Sequence, residues 1–235
     1  MPRLESWGRV SHRLLHGILA LVCVSTIALV AVGGISAAPI QLGGAAPGGG
    51  TCAPGFWHAQ IGQATVSYTA PAGVWRLTSW SMAGSSGSVS FLVLRPAGGT
   101  AHTVVYASPA HSLTGGINTF ADSVAVLGGD EIAFGANSTV PGCFVGTGNP
   151  ADSVGWNFQP FSVGSVVDPA APPAGCNGCI SRFRWNLGAT LEPITKGDCK
   201  DGGWADWHVF KNQGDCVSFV ASGGKNGPAG ASTRG

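Results

Sequence analysis

The sequence predicts a mainly β protein: an antiparallel β-sandwich or jelly roll with a small disulfide-stapled helical hairpin at its C-terminus. Three observations predict it. Only 10% of residues are charged and 38 of 235 are glycine, against roughly 25% charged in an average soluble protein. Short runs rich in β-branched and aromatic residues recur between Gly, Pro and Ser clusters, the mark of many strands joined by turns. Of seven cysteines, Cys23 lies in an N-terminal apolar run, leaving Cys52, Cys143, Cys176, Cys179, Cys199 and Cys216 beyond it.

The first segment, 1–37, reads as a secretory signal peptide. "MPRLESWGRVSHRLLHG" is basic, "ILALVCVSTIALVAVGG" (18–34) is uncharged, and "ISAAP" supplies small residues; that is the order such peptides follow. The apolar run is also close to the roughly 20 residues that span a bilayer. An uncleaved anchor through 18–34 is therefore the rival reading, and the basic end would keep the remainder outside the cytoplasmic membrane. Either way the bulk of the chain is secreted or extracellular, and six cysteines in an oxidising compartment form disulfides, with fifteen pairings formally open.

Removing the leader also removes the formal positive charge. Of 12 Lys/Arg and 11 Asp/Glu, Arg3, Arg9, Arg13 and Glu5 fall within 1–37, leaving nine and ten. No basic stripe survives, so nucleic acid is not an expected partner. Membrane contact is expected only through 18–34.

Residues 38–50 lack periodicity and read as a flexible linker. The sandwich domain is read over 51–192. "ATVSYT", "GVWRLTSWSM", "SVSFLVLR", "HTVVYAS", "TFADSVAV" and "DEIAFGA" are its strands, separated by clusters such as "PAG", "AGSSG" and "GGD". "SRFRWNLGATL" (181–191) alternates most clearly. Phe183, Trp185, Leu187, Ala189 and Leu191 should enter the core, and Arg182, Arg184 and Asn186 should face water.

After Pro193 the pattern turns helical, giving a stapled module over 193–226 and a disordered tail over 227–235. Thr195 and Gly202 bracket one expected helix. Asn212, with Asp215 in the first turn and Gly223 as the stop, brackets a second.

"VWRLTSWSM", "FLVLRPAGGTAHTVV", "LTGGINTFADSVAVLGGDEIAF" and "RFRWNLGATLEP", taken in order, resemble a group of secreted bacterial β-sandwich proteins. The tail "CKDGGW…FKNQGDCVSFV…GGKN" is similar to a C-terminal module carried by secreted proteins of that kind. The resemblance covers roughly 52–226 and implies fold and location, with no activity attached. Within this frame Cys199–Cys216 reads as the module's staple, Cys52–Cys143 as a tie from the first strand to the loop after "DEIAFGA", and Cys176–Cys179 as a local clip. Trp204, Trp207 and Phe210 then read as packing between module and sandwich.

Several chemistries compete. "CNGC" with Cys199, His208 and Cys216 can be drawn as zinc ligands, but structural zinc favours two close pairs. "CNGC" also precedes a strand, where a redox CxxC opens a helix. No GxSxG occurs, and no serine stands out as a nucleophile. A glycosidase needs two facing carboxylates; Asp130 and Glu131 lie in one turn, and Glu192, Asp198, Asp201, Asp206 and Asp215 do not alternate along a strand. Calcium through loop carboxylates is a minor candidate, though "DCKD" lacks calcium-loop spacing. "NST" (137–139) fits a glycosylation acceptor in form only.

Aromatics are the remaining signal. Trp75, Trp80, Trp156 and Trp185 read as core, whereas Trp57 beside His58 reads as the exposed pair, able to contact a ligand such as a sugar ring. No catalytic, cofactor or metal residue is assigned. The expected function is a secreted, non-catalytic binding or structural module, with a glycan or another envelope component as partner. The alternative is a secreted carbohydrate-active hydrolase on a jelly-roll scaffold. N-terminal sequencing of exported material should show a mature start between Ala37 and Ile40. Recovery of full-length, membrane-bound chain alone would replace the signal peptide with the anchor.

Overall fold

The structure, a computed structural model, describes residues 38–158, 160–168 and 180–230. The leader, Cys176, Cys179 and residues 231–235 lie outside the described residues. The chain runs through β1 (Ile40–Gly43), β2 (Thr51–Cys52), β3 (Trp57–Gly62), β4 (Val74–Ala83), β5 (Ser88–Gly98) and β6 (Ala101–Ala107). Then come β7 (His111–Ser112), β8 (Ile117–Leu127), β9 (Glu131–Ala136), β10 (Val140–Pro141) and β11 (Phe144–Gly146). β12 (Ser153–Asn157), β13 (Val166–Val167), β14 (Ile180–Ser181), β15 (Phe183–Trp185) and β16 (Leu187–Pro193) complete the strands. A 3-10 turn at Gly203–Ala205 and one helix, α1 (Gln213–Ala221), follow.

Two antiparallel sheets face each other. The smaller has the order β1-β16-β4-β8; the larger has β13-β6-β5-β9-β3-β12-β14, with β7 beside β5. Leu77, Trp80 and Met82 of β4 and Leu187, Ala189 and Leu191 of β16 meet Val89, Phe91 and Val93 of β5 and Ile132 and Phe134 of β9. The alternating strands have thus produced the sandwich that their period predicts. Trp80 and Trp185 are core residues, with Trp75 and Trp156 packed against them.

The larger sheet is covered on its other face too. Leu92 and Leu94 turn away from the first core and join Trp57, Ala59, Val104, Ala133 and Val167 in a second cluster. Phe161, between β12 and β13, packs over this face. It sits so close to Gly135 that a Cβ there would meet the ring at 2.4 Å. Burial on both faces explains why "SVSFLVLR" is a continuous apolar run.

It also overturns the expected exposure of Trp57 and His58, which are 0% and 2% exposed. β3 is an interior strand between β9 and β12, so its two faces meet the two cores. Trp57 enters the outer cluster, and His58 stacks on Phe134 at 4.6 Å between the sheets. Burial lowers the His58 pKa to about 3, against an opposing pull from the Ala53 backbone. The ring is held neutral and out of reach of any ligand. Glu131 is buried as well, and burial pushes its carboxyl up to about 8, with the Gln60 backbone opposing.

The expected closing strand is broken. Arg182 adopts φ 72°, and the chain changes partner at Asn186: β15 pairs with β11, and β16 pairs with β4 and β1. Asn186, expected at the surface, is fully buried at this crossover. Its side-chain amide donates to the Gly142 carbonyl at 2.8 Å, and its own backbone N–H and C=O bond to Cys143 and Ala83. A short amide side chain can satisfy a carbonyl that the change of partner would otherwise strand.

The expected linker is likewise partly sheet. Residues 40–43 form β1 against β16, with Leu42 in the core. Two apolar residues two apart are enough where an edge is open. A Cβ at Gly50 would fall 1.9 Å from the Phe144 ring, so a larger residue there would have to displace that ring. Cys52–Cys143 forms as expected, with a separation of 91 residues, and pins β2 beside β10. A loop of that length is worth about 4–5 kcal/mol in the chain-entropy treatment.

Trp185 joins these parts. Its indole N–H donates to the Ala59 carbonyl at 2.7 Å, its backbone N–H donates to Gln60 Oε1 at 3.2 Å, and its carbonyl accepts from the Tyr68 hydroxyl. Its ring meets His58, Phe134, Phe144 and Trp156 edge to face. Trp185→Ala should cost about 3–5 kcal/mol, as large-to-small core changes do. Urea unfolding measures this, and a neutral result would show that the ring is not the centre of the core.

Candidate functional site

Beyond β16 the chain builds its stapled module against one end of the smaller sheet. Cys199 and Cys216 are joined across a separation of 17 residues, a loop worth about 3 kcal/mol in the chain-entropy treatment. Around them Ile194, Trp207, Val209, Phe210 and Phe219 form a cluster that includes Val74 of β4, with Leu127 and Ala125 of β8 packed against it. Trp207 and Phe210, with Trp204 at the margin, therefore do the packing expected of them. A unit this small needs both the staple and the docking to stay folded.

The module has one α-helix, not two. α1 starts at Asn212, whose side chain accepts from the Asp215 N–H, and Gly223 follows its end at φ 62°. The stretch opened by Thr195 instead folds into successive turns. Asp198 Oδ2 accepts from both the amide and the hydroxyl of Thr195, and the opposite oxygen accepts from Arg76 at 2.8 Å. Turn bonding of this kind competes with helix formation. Within the expected tail, the described Ala229 is held: Asp215 Oδ2 accepts from the Lys211 and Ala229 amides.

Where the module meets the edge of the sandwich, a groove of about 580 Å³ opens. Arg76 of β4, Tyr106 of β6 and Ser123–Ala125 of β8 form one side, and Asp198, Lys200, Asp206, Trp207 and His208 form the other. Arg76 is the hinge between the two, bridging Glu192 at 2.9 Å and Asp198 at 2.8 Å. These pairs are partly exposed, so each contributes at most about 1 kcal/mol, and their main effect is to position the wall. Tyr106 donates its hydroxyl to both oxygens of Asp122 at 2.8 Å, tying the two sheets together at their open edge. Burial, then the hydrogen bond and charge of Asp122, push the phenol above its usual range, so it stays protonated.

Two non-glycine residues of the module adopt left-handed backbone, His208 of this wall at φ 53° and Asp201 at φ 52°. Each costs about 1–2 kcal/mol relative to a right-handed conformation. His208 also lines a second depression of about 550 Å³ with Trp204, Phe210 and Lys211. His208 thus lines both hollows.

Of the residues predicted from sequence, Trp57 and His58 lie far from this chemistry in the interior. Cys199 and Cys216 are bonded to each other, so neither offers a thiolate to zinc, and His208 stands at a groove wall. Cys176–Cys179 lies outside the described residues. Among the described residues no group of three or more His, Cys, Asp or Glu side chains converges to hold a metal. Asp130, buried, is held by Arg95 through two hydrogen bonds of 2.8 Å and braces a turn. Sequence reading missed Arg76, Tyr106 and Asp122. They come from three strands, and no local motif marks them.

Reduction should increase hydrogen exchange over 195–222, where the groove wall lies, while the strands of the two cores stay protected. Peptide mapping without reduction should recover the Cys199–Cys216 cross-link. Loosening by chelators and not by reductants would put a metal in place of the disulfide. The two disulfides among the described residues fit an oxidising, extracellular environment, and no described helix is long and apolar enough to cross a membrane. Comparison with protein-family models, curated proteins and solved structures finds no match to this chain.

Proposed function

We propose that this protein is a secreted, non-catalytic binding module of the cell envelope or extracellular space, and that it holds a glycan or another polar envelope component in the groove between sandwich and module. The leader over 1–37 would deliver it, or hold it at the outer membrane face if uncleaved. The resemblance of its tail to a module of secreted proteins belongs to the same reading.

The observation that carries the proposal is the groove lining. Half-buried Tyr106 lines the groove with hydrogen-bonding groups of both signs from Arg76, Lys200, Asp206 and His208, and Trp207, 7% exposed, closes its floor. Sugars are bound by that combination: an apolar ring surface flanked by donors and acceptors. The wall is pre-formed by a disulfide and two ion pairs, which lowers the ordering cost of binding.

The hydrolase alternative is less well supported by the same residues. Asp198 is taken up by Arg76 and Thr195, and Asp122 by Tyr106. That leaves Asp206 without the facing second carboxylate that glycoside hydrolysis uses. A glycan array with the exported domain, followed by calorimetry, tests the proposal. Asp206→Ala and Lys200→Ala should each weaken binding about tenfold, or about 1.4 kcal/mol, without altering thermal stability. Turnover of an array glycan, abolished by Asp206→Asn, would make the protein an enzyme and overturn the proposal.

A further inference from the structure

The outer face of the smaller sheet has an unusual composition next to this groove. In register across β8, β4, β16 and β1 lie Ala121, Ser79, Thr190 and Gln41. One row further, Thr119 stands opposite Ser81. Residues that alternate with these, Trp80, Met82, Ala189 and Leu42, belong to the inter-sheet core, so all six point outward. None is charged and none is large. Gln41 donates to the Thr190 hydroxyl at 2.9 Å, holding the amide flat across two strands.

At one end this face meets Arg76, opposite Ala125 and Glu192 in the next row. Arg76 and Ala125 are themselves groove residues. The groove therefore adjoins the face through Arg76 and Ala125. Its charges stay at the module end, where Arg76 is paired with Glu192 and Asp198.

A second copy packed face to face is a poor occupant. It would bury hydroxyls and amides against hydroxyls and amides at sheet-packing distance, with an unsatisfied polar group costing about 1–3 kcal/mol. A charged polymer would find no counter-charge. An extended, uncharged polysaccharide satisfies both conditions: its hydroxyls donate and accept, as those of Ser79, Ser81, Thr119 and Thr190 do, and it presents no charge to be desolvated. Hydroxyl rows about 4.8 Å apart across strands and about 6.7 Å apart along them give a regular array for such a chain.

We propose that this hydroxyl-lined face extends the groove into an elongated surface for a linear, neutral polysaccharide. This rests on the reading of the groove as a glycan site and adds the class of glycan and its path. The test uses the exported chain with neutral glucan, mannan and N-acetylglucosamine series, each as dimer, hexamer and insoluble polymer. At least one hexamer should bind about tenfold more tightly than its dimer. Ala121→Lys, on an edge strand and clear of the core, should erase that gain while leaving dimer affinity and thermal stability intact. Ser79→Ala, milder, should erase part of it.

Equal affinity for dimer and hexamer would overturn the extension and leave the groove standing. Retention on the polymer that survives Asp206→Ala but not Ala121→Lys would support the face and remove the groove. Binding of none of the three series overturns both. Preference for an anionic polysaccharide, or a dimer in sedimentation that Ala121→Lys abolishes, would overturn the proposed occupant.

Discussion

Trp185 has to bury an indole while its ring N–H and both backbone groups find partners away from water, and most of the architecture follows from how this is met. The indole reaches β3 through Ala59, the amide reaches the Gln60 side chain, and the carbonyl takes the Tyr68 hydroxyl. Three hydrogen bonds and four ring contacts therefore fix the chain at the point where it passes from the β11 ladder to the smaller sheet. A buried polar group that is fully paired specifies one arrangement; left half-paired it would favour several. The change of partner at Asn186 one residue later depends on that anchoring.

The module is organised by the opposite circumstance. It has too little apolar surface to fold alone, so it borrows Val74 and Leu127 from the sandwich and closes on its own disulfide. Docking one small unit onto the end of a sheet leaves a seam on the open side, and the seam is the groove. Arg76 holds this seam at a set width through Glu192 and Asp198. The left-handed Asp201 and His208 lie in the loop that the disulfide encloses, where closure can hold backbone conformations that a free chain would abandon.

Much of the fold was legible because its physics is local. Alternation of Leu187, Ala189 and Leu191 marks the buried face of β16, and Asn212, Asp215 and Gly223 mark the helix α1 through capping. Reading failed where a second, distant surface intervened. "SVSFLVLR" reads as a strand with no statement of its two faces, and both are buried, one in each core. The segment at 40–43 looked like linker because four residues carry too few apolar positions to signal a strand until β16 offers an edge. Trp57 and His58 looked like a surface pair because proximity in sequence to a cysteine and a turn says nothing about how many strands lie on either side.

By itself, the sequence determined that the chain is mainly β, that its pattern turns helical after Pro193, and that its cysteines are available to pair. It marks "ATVSYT" (64–69) as a strand where only a bridge at Thr69 forms, and it leaves the cysteine pairing open. Period, caps and spacing act over a few residues, and the compartment implied by the leader decides how cysteines behave. Only the tertiary structure decided which faces are buried twice and where a groove opens. It also brought Arg76, Tyr106 and His208, residues from β4, β6 and the module, together at one site. Those outcomes depend on the order of strands within two sheets, and strand order is set by the sum of contacts across the whole core.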